Sequence, residues 1–337
     1  MRTESLVRLN RLIASNRLKF LAVLAADLIG VRHLILRFDP VLACNLRCGM
    51  CFFSDDEWLK HNPIKRFSDD EIKRLADMFF PQAMQLHIGC VAEPTVYKGY
   101  PFLVTLGKRY KIPFIGFTTN GQLLTPANIE LMLEAGLDEI TLSTHGIKKD
   151  TYEGLMRGAS FEKYHRNLGA LVDLKRASQK KKPAIRINYT VNPDNLSELY
   201  GFFDLFGEYD ISTLQVRPII DFGNTEYKNK TLTRHRAEYN EIVDFLIEEC
   251  RRRDISLLAN KYDPGYDQIN NFAVVYEKAV MRYLGPGQVW RDGFDFKSET
   301  YREHMRRIGY RRELLRYVVQ GDASLVRKTA FASSQLF

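Results

Sequence analysis

"LACNLRCGMCFFSDDEW", residues 42–58, places three of the five cysteines of this 337-residue chain on one short stretch. Cys44, Cys48 and Cys51 are spaced C-x3-C-x2-C, too close together for disulfide bonds of normal geometry. Five cysteines are also too few for a disulfide-stabilised scaffold of this length. The stretch therefore indicates a reducing compartment. We predict a cytoplasmic protein whose clustered thiols bind a metal or act in redox chemistry.

Three thiols on one loop can bind zinc, hold an iron–sulfur cluster or act as redox cysteines. A structural zinc site takes four ligands, usually in two C-x2-C pairs, and this sequence has no second pair. A redox pair formed by Cys48 and Cys51 leaves Cys44 without a function. A [4Fe–4S] cluster normally takes four cysteine thiolates, so three would leave one iron open for another ligand.

Strand-like and helix-like segments alternate along the rest of the chain. The predicted strands cover residues 33–38, 84–89, 112–121, 137–146, 184–192, 211–219 and 255–259. Helical patterns lie between them, with Ser68 and Thr125 as predicted N-caps. This alternation predicts βαβ units and a parallel sheet. Six repeats before residue 220 predict an α/β fold with a partial (β/α)6 barrel of the TIM type, whose chemistry lies at the C-terminal ends of the strands.

Two further segments flank the predicted barrel, which covers residues 31–258. Residues 1–30 are basic and apolar at helical spacing and predict an amphipathic helix that packs on the domain or contacts a membrane surface or partner. The longest uncharged run, residues 20–26, is shorter than the roughly 20 residues that span a bilayer. Residues 259–337 predict a helical and loop-rich extension that caps the barrel or binds substrate.

A C-x3-C-x2-C motif on a loop after the first barrel strand resembles the radical S-adenosylmethionine (SAM) superfamily, and CNLRC is similar to its commonest form of the motif. The resemblance implies a [4Fe–4S] cluster on the three cysteines, with its open iron chelated by the amino and carboxylate groups of SAM. It implies reductive cleavage of SAM to methionine and a 5′-deoxyadenosyl radical, which removes a hydrogen atom from substrate. The residue before the third cysteine, often aromatic in the family, is Met50, which suits contact with adenine.

The resemblance extends over roughly residues 33–220 and implies further SAM-binding positions. GCVAEPT at 89–95 is similar to the family's Gly-Gly-Glu-Pro turn, while TTNG at 118–121 and LSTHG at 142–146 occupy two other strand-end turns. The cofactor-binding residues implied in these turns are Gly89, Ala92, Glu93, Thr118, Asn120, Ser143 and His145. For His145, a structural position, a SAM contact and a proton-transfer function all remain open.

Later positions add polar groups to the same site. Arg157 in the segment leading to Arg-Gly implies a guanidinium that holds the SAM carboxylate. On the fifth strand, Arg186, Asn188 and Thr190 alternate with apolar residues, which predicts a polar inner face that lines a ligand cavity. By resemblance Asn188 contacts the ribose of SAM. Arg217, near the end of the sixth strand, is a predicted clamp for SAM or substrate.

TYEGLMRG, residues 151–158, resembles the superfamily branch that modifies peptides and proteins or matures cofactors. Many of its members carry C-terminal cysteines for auxiliary clusters, and here no cysteine follows Cys250. That difference favours epimerisation, rearrangement or radical addition over net oxidation. We predict a peptide or protein side chain as substrate, with a small molecule such as a sugar or lipid precursor as an alternative.

The net charge of +8 keeps RNA open as a third substrate class. The resemblance also implies a reductant such as flavodoxin or ferredoxin as partner. A non-catalytic iron–sulfur protein is the alternative of a different functional class.

Overall fold

The centre of the molecule is a large, mostly parallel sheet. The computed structural model describes residue 13 and residues 15–219, 224–261 and 274–320. Its strands are β1 (Leu34–Phe38), β2 (Val41–Leu42), β3 (Lys65–Arg66), β4 (Ala83–Ile88), β5 (Phe114–Thr119), β6 (Glu139–Thr144), β7 (Ala184–Val191), β8 (Thr213–Pro218), β9 (Ser256–Leu258), β10 (Met281–Gly285) and β11 (Gln288–Val289).

Helices connect these strands and cover the outer face of the sheet. They are α1 (Asn16–Ile29), α2 (Asp56–His61), α3 (Asp69–Phe79), α4 (Tyr100–Arg109), α5 (Pro126–Ala135), α6 (Lys149–Leu155), α7 (Phe161–Ala177), α8 (Phe202–Phe206), α9 (Arg236–Arg252), α10 (Tyr301–Arg307) and α11 (Tyr310–Gln320). Predicted capping residues are in place, since the Ser68 and Thr125 side chains accept hydrogen bonds from the first turns of α3 and α5.

The sheet has the topology of an open (β/α) barrel. Within the described residues its strand order is β11-β10-β1-β4-β5-β6-β7-β8-β9, and every pair except β10 with β11 is parallel. The six strands β1 and β4 to β8 are neighbours in chain order and correspond to the six predicted repeats. The predicted partial barrel of the TIM type is therefore confirmed.

The C-terminal part of the chain adds a strand that the sequence did not predict. β10 pairs with β1 in parallel, with Tyr283 opposite Arg37, so the predicted helical and loop-rich extension also contains sheet. The strand was hidden because Arg282, 1% exposed, occupies a position where an apolar residue is expected. Its guanidinium donates hydrogen bonds to the carbonyl oxygen of Ala279 and, at 2.6 Å, to the hydroxyl of Tyr310.

Aromatic residues that follow β10 pack on the outside of the sheet. The Phe294 ring lies 6.0 Å from the ring of Phe79 in α3, and the Trp290 ring lies 4.8 Å from that of Tyr301 in α10. These contacts give the aromatic residues a packing function in the part of the extension that the structure describes. Residues 262–273 and 321–337 of the predicted extension lie outside the described residues.

The N-terminal helix packs against the last described helix. In α1 the ring of Phe20 lies 4.9 Å from that of Tyr317 in α11, and Asp27 forms a 2.7 Å ion pair with Arg311. α1 ends at Gly30, whose φ of 76° is the left-handed C-cap conformation. No helix in the described ranges is long and apolar enough to cross a bilayer. Residues 1–12 of the predicted helix lie outside the described residues.

The two faces of the sheet differ in chemistry. On β1, Leu36 and Phe38 are buried beneath the helices, whereas Arg37 lies on the opposite face and is partly exposed. The same alternation on β7 places Ile185 and Ile187 on the outer face, against the helices. Arg186 and Asn188 lie on the inner face. The hydrophobic core therefore lies between sheet and helices, and the inner face is left for polar residues.

Replacing Ser68 by Ala tests the local stability of α3. The Ser68 hydroxyl accepts a hydrogen bond from the Glu71 N–H at 3.2 Å, and the Glu71 carboxylate accepts one from the Ser68 N–H at 2.8 Å. We expect Ser68→Ala to lower the free energy of unfolding by about 1 kcal/mol in urea denaturation. Ser68→Asp keeps an acceptor at the cap and serves as control. Equal stabilities of the two variants would contradict the capping argument.

Candidate functional site

The cysteine loop lies at the C-terminal end of β1 and is closed by a small hairpin. β2 and β3 pair antiparallel, with Val41 opposite Arg66, and so hold the two ends of the loop together. The Phe67 N–H donates to the Pro40 carbonyl oxygen at 3.1 Å just outside this pair. The loop is therefore anchored at the barrel edge where parallel α/β folds bind their ligands.

The three thiols are close enough to influence one another. Burial raises the pKa of Cys44 to about 12, and the neighbouring Glu93 carboxylate and Cys51 thiol add to the rise. Burial also raises the pKa of Cys48, with further contributions from Cys51 and Cys44. Such a group of thiols favours the thiolate form only when a cation offsets its negative charge.

The donor set fits a cluster better than a single ion. All three cysteines are free thiols with part of their surface exposed. In the described ranges no three His, Cys, Asp or Glu side chains converge so that they could hold one metal ion. A cluster does not require such convergence, because each thiolate binds a different iron. The three free thiols therefore fit the predicted [4Fe–4S] cluster, in which Cys44, Cys48 and Cys51 would each bind a different iron.

A second segment supports the loop from the other side. The Arg47 N–H donates to the Arg157 carbonyl oxygen at 2.9 Å, and the Gly49 N–H donates to the Leu155 carbonyl oxygen at 3.0 Å. A Cβ at Gly49 would lie 3.6 Å from the Arg157 guanidinium, so the Arg157 side chain packs directly against the backbone of the cysteine loop. Met50 is buried against Leu155 and two other apolar residues, which gives it a packing environment.

The Glu93 carboxylate joins the loops after β4 and β5. It is 4% exposed and accepts hydrogen bonds from the Thr119 hydroxyl and the Asn120 N–H, each at 2.7 Å. It also accepts from the N–H and the hydroxyl of Thr95. Burial raises the pKa of the Glu93 carboxyl, and these donors oppose the rise. The predicted site residue Glu93 is thus a structural centre of the barrel edge.

The same network reaches the cysteine loop. The Glu93 N–H donates to the Ala43 carbonyl oxygen at 3.0 Å. The Asn120 amide donates to Asn45 Oδ1 at 3.0 Å and lies 3.9 Å from the sulfur of Cys44. Asn120, predicted from its strand-end position, therefore positions the first cysteine as well as the loop after β5.

Asp39 is a site residue that sequence reasoning missed. Its buried carboxylate accepts hydrogen bonds from the N–H groups of Cys90 at 2.8 Å, Val91 at 3.0 Å and Ala92 at 3.4 Å. It thereby fixes the turn in which Gly89 and Ala92 were predicted to bind SAM. An acidic residue directly after a buried strand, in the sequence RFDP, was the available signal.

Gly89 is required at its position by backbone geometry. Its φ is 80°, a left-handed conformation that favours glycine, and a Cβ there would lie 2.2 Å from the Thr118 carbonyl oxygen. β4 and β5 approach each other closely at this point. The glycine therefore shapes the turn that the resemblance implies in SAM binding.

Polar side chains cover the inner face of the barrel. Strand register places Ser143 opposite Asn188 and Thr118 opposite Thr141. The Oδ1 atom of Asn188 is buried and has no hydrogen-bond partner in the part of the chain that the structure describes. A buried acceptor of this kind is rare unless a ligand or water satisfies it, so Asn188 fits its predicted contact with a hydroxyl-bearing cofactor.

His145 and Arg157 occupy different environments at this edge. Nδ1 of His145 is also buried without a partner, while the His145 backbone carbonyl accepts a hydrogen bond from Asn195. The Arg157 side chain is 46% exposed and forms an ion pair with Glu226. Arg157 therefore lies beside the cysteine loop at the surface, and its predicted function in holding a carboxylate stays a prediction.

Two inward-facing residues near the C-terminal ends of β1 and β4 also escaped sequence reasoning. Arg37 and His87 are opposite each other in the register of β1 and β4. Burial lowers the pKa of His87 to about 3, and the charges of Arg37 and Arg186 lower it further. Alternation in HLILRF and MQLHIG, where polar residues occur at every second position, was the signal that could have identified them.

Residues 40–206 match the family model of the radical SAM superfamily. Molybdenum cofactor biosynthesis protein 1 of Drosophila melanogaster is 32% identical over 149 residues, which cover 44% of this chain and 26% of that protein. The probable GTP 3′,8-cyclase of Saccharolobus solfataricus is 26% identical over 214 residues, 62% of this chain and 65% of that enzyme. The chain thus spans less than two thirds of the length of either relative.

Solved structures with the same fold include two SAM-bound proteins. Streptococcus suis SuiB bound to S-adenosylmethionine superposes with a TM-score of 0.56 at 16% identity, over 82% of this chain and 64% of that one. Native anSMEcpe with bound AdoMet and Cp18Cys peptide gives a TM-score of 0.59 at 16% identity, over 84% and 82% of the two chains. At these identities the likeness shows a shared fold.

Replacing Glu93 by Gln tests the network that positions the cysteine loop. Gln keeps the shape but turns one acceptor oxygen into an NH2 group, so at least one of the buried N–H groups of Thr95 and Asn120 loses its acceptor. We expect a loss of about 1–3 kcal/mol in the free energy of unfolding and less iron retained after gel filtration of reconstituted protein.

A matched control is Glu198→Gln. The Glu198 carboxylate accepts hydrogen bonds from the Ile147 N–H at 2.9 Å and the Thr151 hydroxyl at 2.6 Å, and among the described residues its side chain makes no hydrogen bond to the cysteine loop. We expect this variant to lose stability and retain iron. Equal iron retention in the two variants would refute the positioning argument for Glu93.

Replacing His145 by Gln tests the neutral state of the buried histidine. Burial lowers the pKa of His145 from 6.5 to about 4, so the unfolded chain binds a proton between these pH values and the folded chain does not. Stability therefore falls as the pH falls below 6.5, by up to about 1.4 kcal/mol per pH unit.

We expect the free energy of unfolding of His145→Gln, measured in urea, to fall less between pH 7 and pH 5 than that of the unsubstituted protein. An unchanged slope in His145→Gln would show that His145 is not held neutral by the fold.

Proposed function

This chain belongs to the radical SAM superfamily, and we propose that it removes a hydrogen atom from a small polar substrate bound in the barrel lumen. The observation that carries the proposal is the position of three free thiols on one loop, directly above a lumen lined with polar side chains. Enzymes of this superfamily use a [4Fe–4S] cluster and SAM. When bound, this pair supplies the reductive cleavage that produces the 5′-deoxyadenosyl radical.

Residues of the chain hold and orient these groups. We assign the iron ligands to Cys44, Cys48 and Cys51. Asn120 donates its amide toward the sulfur of Cys44, and Glu93 holds Asn120 in place. These hydrogen bonds limit the orientations of the first cysteine and stabilise negative charge on its sulfur.

The strand ends beside the loop provide contacts for SAM. We propose that Asn188 and Ser143, adjacent on β7 and β6, bind the ribose, because the Asn188 Oδ1 atom is buried and lacks a partner. The Gly89 turn, fixed by Asp39, is proposed to present backbone carbonyl groups to the SAM amino group. Arg157 is proposed to hold the carboxylate at the outer edge of this site.

The lumen favours a small, polar substrate. Its inner face carries arginine, histidine, asparagine and threonine side chains rather than the apolar surface that accommodates hydrophobic groups. The archaeal relative is named a probable GTP 3′,8-cyclase, a name that specifies a small polar substrate. A peptide side chain remains the alternative from the sequence, and no contact in the described residues favours it.

Anaerobic reconstitution with iron and sulfide tests the proposed function. We expect about four irons per chain and formation of 5′-deoxyadenosine from SAM under reducing conditions, measured by mass spectrometry. Cys44→Ala, Cys48→Ala and Cys51→Ala should each lose the cluster absorbance and the product, because each removes one iron ligand.

Cys250→Ala is the control for these variants. Cys250 is buried in α9, far from the loop in the topology, and its replacement should retain both iron and product. Iron retained in all three loop variants would overturn the ligand assignment. A full cluster that never forms 5′-deoxyadenosine would favour a non-catalytic iron–sulfur protein.

A further inference from the structure

The inner face of the barrel carries more positive than negative charge. By strand register, the described inward-facing residues of β1 and β4 to β8 include three arginines, Arg37, Arg186 and Arg217, and a single carboxylate, Glu139. Positive charge in a low-dielectric cavity is costly unless an anion balances it. The way in which each arginine is balanced therefore indicates what the lumen binds.

Arg186 is balanced by the chain itself. Its guanidinium lies 2.9 Å from Glu139, and the two side chains are 12% and 11% exposed. It also donates to the amide oxygen of Gln215 at 3.3 Å. Glu139, the single carboxylate on the described inner strands, is therefore paired with Arg186 and not with Arg37 or Arg217.

Arg217 has no such partner. Among the described residues, its guanidinium makes no hydrogen bond or ion pair, although burial and the Arg37 charge lower its pKa to about 10. The side chain is partly exposed, so a ligand in the lumen can reach it. An arginine held in a cavity without an anionic partner points to an anion supplied from outside the chain.

Arg37 adds a second positive charge to the inner face. Its charge interacts with the Cys90 thiol and the phenol of Tyr276, and with Asp39 more weakly. The Asp39 oxygens are already occupied by the N–H groups of the turn after β4. Asp39 therefore balances part of the Arg37 charge, and the remaining influence of Arg37 reaches Arg217, whose pKa it lowers.

His145 supplies a neutral polar atom next to this charge. Its Nδ1 atom is buried and has no hydrogen-bond partner among the described residues, and the Arg217 charge reaches the ring. A neutral imidazole can donate one hydrogen bond, depending on its tautomer. An unpaired guanidinium and an unpaired ring nitrogen at one end of the lumen form the polar part of a binding site.

We propose that Arg217, with Arg37 and His145, binds a phosphate or carboxylate group of the substrate. This inference rests on the proposed function and specifies its substrate class as a small acidic molecule. The guanidinium fork fits the planar or tetrahedral oxygens of both groups. The SAM carboxylate is the other anion that can reach this end of the barrel, and the experiment separates the two sources.

Isothermal titration calorimetry of the reconstituted full chain tests the site. Inorganic phosphate, acetate and SAM are titrated separately into the unsubstituted protein, Arg217→Gln, Arg217→Lys and the surface control Arg234→Gln. We expect saturable binding of phosphate or acetate to the unsubstituted protein, weakened about tenfold or more in Arg217→Gln. Arg217→Lys keeps the charge and should recover part of the affinity, and Arg234→Gln should bind as the unsubstituted protein does.

Affinity for SAM identifies the source of the anion. We expect it to change by less than about threefold in Arg217→Gln, because the cofactor carboxylate is bound elsewhere. A variant that loses SAM affinity while retaining anion affinity would overturn the proposal and make Arg217 a cofactor clamp. Equal anion affinity in the unsubstituted protein and Arg217→Gln, or binding that never saturates, would also overturn it.

The acidic-substrate site and the proposed enzymatic function can be refuted separately. A protein that forms 5′-deoxyadenosine from SAM but binds neither phosphate nor acetate contradicts the acidic substrate and leaves the proposed function intact. Anion binding that depends on Arg217, in a protein that never forms 5′-deoxyadenosine, contradicts the proposed function instead. Circular dichroism of each variant verifies that a loss of binding does not come from unfolding.

Discussion

The site depends on one buried carboxylate that accepts hydrogen bonds from two strand-end loops. Glu93 is anchored through its own N–H to Ala43 and through its side chain to Asn120, so the loops after β1, β4 and β5 meet at one residue. A charged group is stable in such a place only when its oxygens are saturated by donors. That requirement imposes a fixed separation on the loops. The position of the cysteine loop is therefore set by the Glu93 hydrogen bonds, because three flexible thiols cannot fix their own positions.

The barrel concentrates its stability on one face and its chemistry on the other. Apolar side chains such as Leu36 and Ile187 fill the space between sheet and helices, while arginines and amides occupy the inner face. Small barrels usually fill their interior with side chains that pack against one another. Here three polar atoms, His145 Nδ1, Arg186 Nε and Asn188 Oδ1, are buried without hydrogen-bond partners among the described residues. A ligand in the lumen could satisfy these polar atoms. The apolar core between the sheet and the helices offsets the free-energy cost of leaving them unpaired.

The sequence predicted the six central strands and the cysteine motif because each rests on a local pattern. Strand alternation, capping residues and C-x3-C-x2-C spacing are all readable within about ten residues. β10 was missed because Arg282 broke the apolar pattern, and two of its hydrogen-bond partners, the hydroxyl groups of Tyr301 and Tyr310, are distant in the chain. Asp39 and Arg37 were missed because their importance arises from partners on other strands. Their local signals, an acidic residue after a buried strand and polar alternation within a strand, mark the positions but do not identify the partners, which long-range pairing decides.

The sheet has two free edges, β9 and β11, and does not close on itself within the described residues. Both edge strands are short, with three and two residues, which limits edge-to-edge association with other chains. A closed barrel has a diameter set by its strand number and shear. An open one has no such restriction, and its width can change when an edge strand tilts. Changes at the two edges can therefore alter the width of the lumen without moving the cysteine loop, which is held at the strands in the middle of the sheet.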